Sequence, residues 1–221
     1  MVTTLITGSS RGIGFGLVTE ALKAGHKVFA VARNTASLKK LKDEFPDRLL
    51  PIELDISQPG GVEKLAGEIA KHGTLDILVN NAGMMTQGES AKDLADSFWV
   101  NATVPFLLTK ALLPVLKKSS SPRVAQISTM MSSIADNTSG GYYAYRSSKS
   151  ALNMLTKSLT IDHPTVSFAL IHPGWVKTDM GGENAPTEIA DSVRGIFKVI
   201  SAMSLKTSGQ FVNFKGDALP W

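Results

Sequence analysis

Val2-Thr3-Thr4-Leu5-Ile6-Thr7-Gly8-Ser9-Ser10-Arg11-Gly12-Ile13-Gly14 decides the fold. Val2 to Thr7 is a short, apolar, β-branched run, the mark of a strand buried on both faces. The glycines interrupt it, and Phe15, Leu17, Val18, Ala21 and Leu22 then recur at helical spacing. Strand, glycine turn and helix, in that order, give the glycines a meaning. They let the backbone turn sharply and approach a pyrophosphate, which the free N–H groups and positive dipole end of the helix attract. The spacing is Gly-x-x-x-Gly-x-Gly, without the Gly-Lys-Ser/Thr of a triphosphate loop. The competing reading is a tight turn with no ligand.

The same alternation continues along the chain. Strands are expected at Lys27–Ala32, Leu49–Leu54, Leu75–Val79, Arg123–Ile127, Val166–Ile171 and Gln210–Phe214, and helices at 36–45, 62–71, 91–116, 142–162 and 189–203. About seven strands alternating with helices, without repeat or linker, predict an α/β fold. It is a doubly wound parallel seven-stranded sheet, a Rossmann fold, in one domain spanning residues 1–221.

In such a sheet ligands lie beyond the carboxyl ends of the strands, so the strand ends are the candidate site. The second strand ends at Arg33-Asn34, where an acid would bond a ribose 2′-hydroxyl and an arginine would accept a 2′-phosphate. No acid stands at this tip, and Arg33 and Arg11 both suit a phosphate, which favours NADP(H) over NAD. Asp55, followed by Ile56, either caps a turn or accepts from an adenine amino group. The fourth strand runs into Asn80-Asn81-Ala82-Gly83. Asn101, out of place inside a helix, is either a kink residue whose backbone binds water or a solvent-facing residue. The fifth strand ends in Ser128-Thr129-Met130-Met131-Ser132-Ser133, and the sixth in His172-Pro173-Gly174-Trp175-Val176-Lys177-Thr178-Asp179. Tyr145 and Lys149 stand four apart at the start of a helix, on one face. An ammonium beside a phenol favours the phenolate and lowers its pKa. By itself this spacing is weak, because helices carry such pairs by chance.

The 221 residues are 43% hydrophobic and 19% charged, with a net charge of +4 and no long basic run, so nucleic-acid binding is not indicated. There is no cysteine, which excludes disulfides and thiolate metal sites, and the four histidines are widely spaced. No signal-peptide pattern opens the chain and no run approaches 18 apolar residues, so neither secretion nor a membrane span is expected, and a cytoplasmic location is.

Taken together, Thr7-Gly8-x-x-x-Gly12-Ile13-Gly14, Asp55, Asn80-Asn81-Ala82-Gly83, Asn101, Tyr145-x-x-x-Lys149 and Pro173-Gly174-x-Val176-x-Thr178 resemble the motifs of the short-chain dehydrogenase/reductase family. They stand in order over nearly the whole chain. The runs Asp136–Arg146, His172–Val176 and Gly216–Trp221 are similar to the C-factor/sniffer-like branch of carbonyl-reductase-like enzymes. The resemblance implies hydride transfer between NADP(H) and a carbonyl or alcohol of a small molecule. Tyr145 would be the general acid, Lys149 would lower its pKa and bond the nicotinamide ribose, and Asn101 would hold a water leading to solvent. Gly8, Ser10, Arg11, Gly12, Ile13, Gly14 and Arg33 would bind the phosphates. Asp55, Ile56, Asn81, Ala82 and Gly83 would line the adenosine side, and Pro173, Gly174, Val176 and Thr178 the nicotinamide.

The family commonly places a serine hydroxyl 13 residues before the tyrosine, which here counts back to Ser132; Thr129 stands 16 before it. The longer loop of the branch favours Thr129, with Ser132 as the alternative. Met84, Met130, Met131, Tyr142, Trp175 and Met180 suit an apolar or aromatic substrate, and 178–186 suits a lid. Pairing of the helices near 91–118 and 142–162 across a two-fold axis implies a homodimer or homotetramer. The C-factor likeness also admits an NADP-binding signalling protein with weak catalysis.

Overall fold

The apolar runs pair as seven parallel strands in a computed structural model that describes residues 1–221. They are β1 (Thr3–Thr7), β2 (Lys27–Ala32), β3 (Leu49–Glu53), β4 (Ile77–Asn80), β5 (Arg123–Ile127), β6 (Ser167–His172) and β7 (Gln210–Asn213), in the order β3-β2-β1-β4-β5-β6-β7. The order reverses between β1 and β4, the switch point at which such sheets open a crevice. Seven helices connect them: α1 (Gly12–Lys23), α2 (Lys39–Glu44), α3 (Gly61–Ala70), α4 (Ala91–Phe98), α5 (Val104–Leu116), α6 (Tyr143–Asp162) and α7 (Ile189–Ala202).

Both faces of the sheet are covered, and the period of two along each strand divides the core. In β1, Ile6 faces α1 and α7, joining Leu17, Val18, Leu22, Ile196 and Ile200. Its neighbour Leu5 faces the other way, onto Leu65 and Ile69 of α3 and Leu108, Leu112 and Leu116 of α5. This is why the strands read as continuous apolar runs rather than alternating ones. Each such side chain, fully buried, contributes about 1.5–3 kcal/mol.

Two expectations shift. The fourth strand begins at Ile77 rather than Leu75, because the Leu75 N–H is taken by the Val115 carbonyl at 3.3 Å and Asp76 binds the Thr3 backbone. The helix expected at 91–116 is not uniform but carries a π turn around Asn101. α4 continues through a π turn, Trp99–Thr103, into α5, whose first turn accommodates Pro105. Such an inserted turn often marks a functional site, and here it leaves Asn101 fully buried. The continuous run Ala91–Leu116 reaches a mean hydropathy of 1.4 over 18 residues, long and apolar enough by length and composition to cross a membrane. In the fold its apolar side packs on α3 and the sheet.

Two glycines in helices separate conformational cost from packing. Gly67 in α3 is exposed, with open space where a methyl group would stand, whereas a Cβ at Gly195 in α7 would run into the Phe214 carbonyl oxygen and ring. In urea unfolding, Gly67→Ala is expected to raise stability by about 0.5–1 kcal/mol. Gly195→Ala is expected to lower it by about 1–3 kcal/mol. Changes of the same sign would contradict this packing.

Candidate active site

At the carboxyl edge a crevice of about 920 Å³ runs from Arg33 and Asp55 at one end to Tyr145 and Lys149 at the other. The glycine turn forms its floor. Gly8 has φ +69°, and a Cβ there would lie 2.9 Å from the Ala82 Cα. A Cβ at Gly14 would run into the Gly8 carbonyl oxygen. The turn therefore closes on itself and on the end of β4, a packing only glycine permits. Thr7 Oγ1 accepts from the Asn81 and Ala82 N–H groups, both at 3.1 Å, and Asn81 Nδ2 donates to the Thr7 carbonyl at 2.9 Å. These bonds hold together the two strand ends at the switch point. No side chain caps α1 and no acid stands in its first turn, so its positive end faces the crevice through Gly12, Ile13 and Gly14.

At the β2 end, Arg33 is exposed and lines the crevice. Asp55 Oδ1 accepts from the Ser57 hydroxyl at 2.6 Å and the Ser57 N–H at 3.0 Å, which holds its carboxyl below the usual range. Of the two roles open to Asp55, the turn bond is thus in place. The expectation of a tip free of acid needs one correction, because Glu53 on β3 lies beside it and accepts from the Thr35 N–H and hydroxyl. It comes from the neighbouring strand, which the local sequence does not reveal, and it does not line the crevice. Arg11 pairs with Asp179 at 2.6 Å, linking the glycine turn to the segment after β6.

At the other end, Tyr145 and Lys149 are 8% and 5% exposed. The chain enters α6 through Gly140, Gly141 and Tyr142 with φ of 65°, 66° and 50°, and Tyr142 is the one non-glycine residue with positive φ. Lys149 Nζ donates to the Ile127 carbonyl at 2.9 Å and has no carboxylate partner, and burial lowers its pKa to about 8. Burial pushes the Tyr145 phenol up, and a hydrogen bond with the Thr129 hydroxyl pulls in the opposite sense. The expected acidification of Tyr145 by Lys149 is therefore not met in the protein alone, where desolvation is the largest influence on the phenol.

Asn101 is neither solvent-facing nor merely a kink. Its Oδ1 accepts from Met84 N–H at 2.9 Å, and its Nδ2 donates to the Met84 carbonyl at 2.8 Å and to Ser148 Oγ at 3.1 Å. A Cβ on Gly83 would lie 3.1 Å from Asn101 Oδ1 and 3.5 Å from Lys149 Nζ, so the β4 turn passes between them. The two candidate hydroxyls differ in their bonding. Ser132 donates to the Thr129 carbonyl at 2.6 Å and accepts from Asn153 Nδ2 at 2.8 Å, so its hydroxyl is occupied away from the crevice. Thr129 Oγ1 accepts from Met131 N–H at 3.2 Å, leaving its own proton to donate.

Sixteen of the sequence-predicted residues line the crevice: Gly8, Ser10, Arg11, Gly12, Ile13, Gly14, Arg33, Asp55, Ile56, Asn81, Ala82, Gly83, Tyr145, Lys149, Pro173 and Thr178. Gly174 and Val176 do not. Gly174 packs on the Phe214 ring and Thr187, and Val176 is buried where it bridges to Thr187. Asn101, Thr129 and Ser132 stand behind the wall. Of the apolar candidates only Met84 and Met180 line it; the Trp175 indole instead donates to the Gly181 carbonyl at 2.7 Å and braces the turn at 178–182. Lys177, Asp179 and Glu183 also line it, from the run after the sixth strand and from the segment 178–186 that suits a lid, although the sequence assigns them no role singly.

Residues 2–189 match the short chain dehydrogenase family. The chain is a short-chain dehydrogenase/reductase. It is of the C-factor/sniffer type: it is 43% identical to the C-signal of Myxococcus xanthus over 156 residues, 67% of this chain and 94% of that protein. It is also similar to the carbonyl reductase Sniffer of D. melanogaster (36% identity, TM-score 0.92, all of both chains). The NADPH-bound carbonyl reductase from chicken fatty liver is 33% identical, with a TM-score of 0.93 over 99% of this chain and 98% of that one.

In this short-chain dehydrogenase/reductase the lone buried ammonium opposes folding. Its pKa falls from 10.5 to about 8, which corresponds to a penalty of about 3 kcal/mol. Below pH 8 the folded and unfolded chains are both protonated and the penalty is full. From 8 to 10.5 the unfolded chain holds more proton, so stability rises with pH, and above 10.5 the penalty is gone. Lys149→Met is therefore expected to stabilise the protein at pH 7 by about 1–2 kcal/mol, after the loss of the Ile127 hydrogen bond. The gain should fade toward pH 10.5 in urea titrations. A less stable Lys149→Met at pH 7 would contradict this.

Proposed function

We propose that this protein uses NADPH to reduce the carbonyl of an aldehyde, ketone or quinone, with Tyr145 as the general acid. The observation that carries the reading is the placement of Tyr145 and Lys149 at one end of a crevice whose floor and far end, the glycine turn and Arg33, suit a dinucleotide phosphate. The self-closing glycine turn and the uncapped positive end of α1 fit such a cofactor. When bound, it supplies a hydride from the nicotinamide ring.

The chain's own groups would handle the proton. A buried phenol with a raised pKa stays protonated at neutral pH and can donate to the oxygen that becomes an alkoxide. Thr129, which does not line the crevice, would act on that oxygen through the phenol it bonds. Lys149, pulled toward the nicotinamide ribose, stabilises the phenolate left behind, and the buried Asn101 supports a water path by which the phenol regains its proton. Arg33 favours a 2′-phosphate, and the chicken enzyme's bound NADPH supports the same preference. Met84, Met180 and Val100 on the crevice wall favour an apolar substrate.

The cysteine-free composition agrees with a cytoplasmic site of action. We also infer a homodimer or homotetramer through α4, α5 and α6, supported by exposed Phe98, Leu107, Met154 and Ile161. Light scattering that gives a monomer would refute it. The similarity to the C-signal favours one other reading, an NADP-binding signalling protein with weak catalysis.

Assays with NADPH and a panel of aldehydes, ketones and quinones separate the two. The reductase reading predicts turnover above blank and a fall in kcat of about 10²–10⁴ in Tyr145→Phe, with the Kd for NADPH within about twofold. NADPH binding without turnover would favour the second reading, and an undiminished Tyr145→Phe would refute the mechanism. Arg33→Ala is expected to erode a preference for NADPH over NADH; equal affinities in the unaltered protein would refute that preference.

A further inference from the structure

We propose that Asn153 is a positioning residue that, through Ser128 and Ser132, fixes the Thr129 hydroxyl against the Tyr145 phenol; this rests on the reductase reading above. Asn153 lies in α6 four residues past Lys149 and eight past Tyr145, on the same face of the helix, and is buried at 3% exposure. Its carboxamide is spent across the gap to the turn after β5. Oδ1 accepts from the Ser128 hydroxyl at 2.7 Å, and Nδ2 donates to Ser132 Oγ at 2.8 Å. Ser132 in turn donates to the Thr129 carbonyl at 2.6 Å, and the two serine oxygens are 3.3 Å apart.

Thr129 is thus held between two hydroxyls that answer to one amide. The helix grips the same turn again where Ser150 Oγ donates to the Ser132 carbonyl at 2.7 Å. The helix that carries the phenol therefore also sets the position of the hydroxyl aimed at it. An asparagine is a costly core filler, since an apolar side chain would fill the space without needing hydrogen bonds. With both ends of the amide used and neither used within its own helix, its contribution is alignment rather than bulk. Asn153 does not line the crevice, so cofactor affinity does not depend on it directly.

The test compares Asn153→Leu, of similar volume, with Thr129→Val and the double variant. Asn153→Leu is expected to lower kcat for carbonyl reduction roughly 10- to 100-fold at unchanged Kd for NADPH. In the Thr129→Val background it should lower kcat no further, because the interaction it serves is already gone. A second readout needs no turnover. The Tyr145 titration is followed by ¹³C-tyrosine NMR and assigned by loss of the signal in Tyr145→Phe. It should move upward in Asn153→Leu as it does in Thr129→Val. Should Asn153→Leu fail to fold, Ser132→Ala cuts the same link from the other side and is expected to shift the titration in the same sense. Losses of kcat that multiply in full in the double variant, or a Tyr145 titration that Asn153→Leu leaves in place, would overturn the proposal. If the unaltered protein reduces no carbonyl, the reductase reading fails on that result, while the titration still decides whether Asn153 governs Tyr145.

Discussion

A single ammonium, that of Lys149, is buried without a counter-ion, and the carboxyl edge of the sheet is arranged around it. Taking a cation out of water costs several kcal/mol unless paired and well bonded. Here one carbonyl, that of Ile127 at the end of β5, accepts from it, and the turn at Gly83 packs beside it, where a Cβ would lie 3.5 Å from the ammonium and, more tightly, 3.1 Å from Asn101 Oδ1. The surface pairs elsewhere, such as Lys92 with Asp96, are exposed and contribute little. Such a cost in the core is the kind found where a protein keeps a group for chemistry rather than stability.

The sheet supplies the rigidity that holds this group in place. Parallel strands buried on both faces bring the ends of β1, β4 and β5 into fixed register, so Thr7, Asn81 and Ile127 lie on one edge. From that edge Asn101 ties the β4 turn to α6 through Met84 and Ser148, and Asn153 ties α6 to the β5 turn. The helix bearing Tyr145 is therefore anchored on both sides by buried amides whose polar atoms are bonded. The same burial that raises the phenol's pKa keeps it protonated at neutral pH.

The fold is legible in the chain because its strongest signals are local. Strands buried on both faces read as apolar runs, and glycine turns punctuate them. What stays illegible depends on tertiary placement. Asn101 reads as a kink because its π turn leaves no periodic trace, and its partner, Met84, lies 17 residues away. Glu53 reaches the β2 tip from another strand, and Asp179 meets Arg11 across 168 residues. Thr129 and Ser132 differ in which hydroxyl is already occupied, a fact of bonding that counting residues does not supply. Gly174 and Val176 carry the motif but serve the packing of the loop, so a motif position is not always a contact position.

The central claim is that the crevice delivers a hydride to a carbonyl while Tyr145 delivers the proton. The direct measurement is isotopic: incubation with NADPH deuterated at C4 and an aromatic aldehyde, followed by NMR of the product. The account predicts an alcohol carrying one deuterium on the carbinol carbon, on one stereochemical face, from the unaltered protein and far less from Tyr145→Phe. NADPH bound at full occupancy with no deuterium reaching the aldehyde, or equal transfer in Tyr145→Phe, would contradict it.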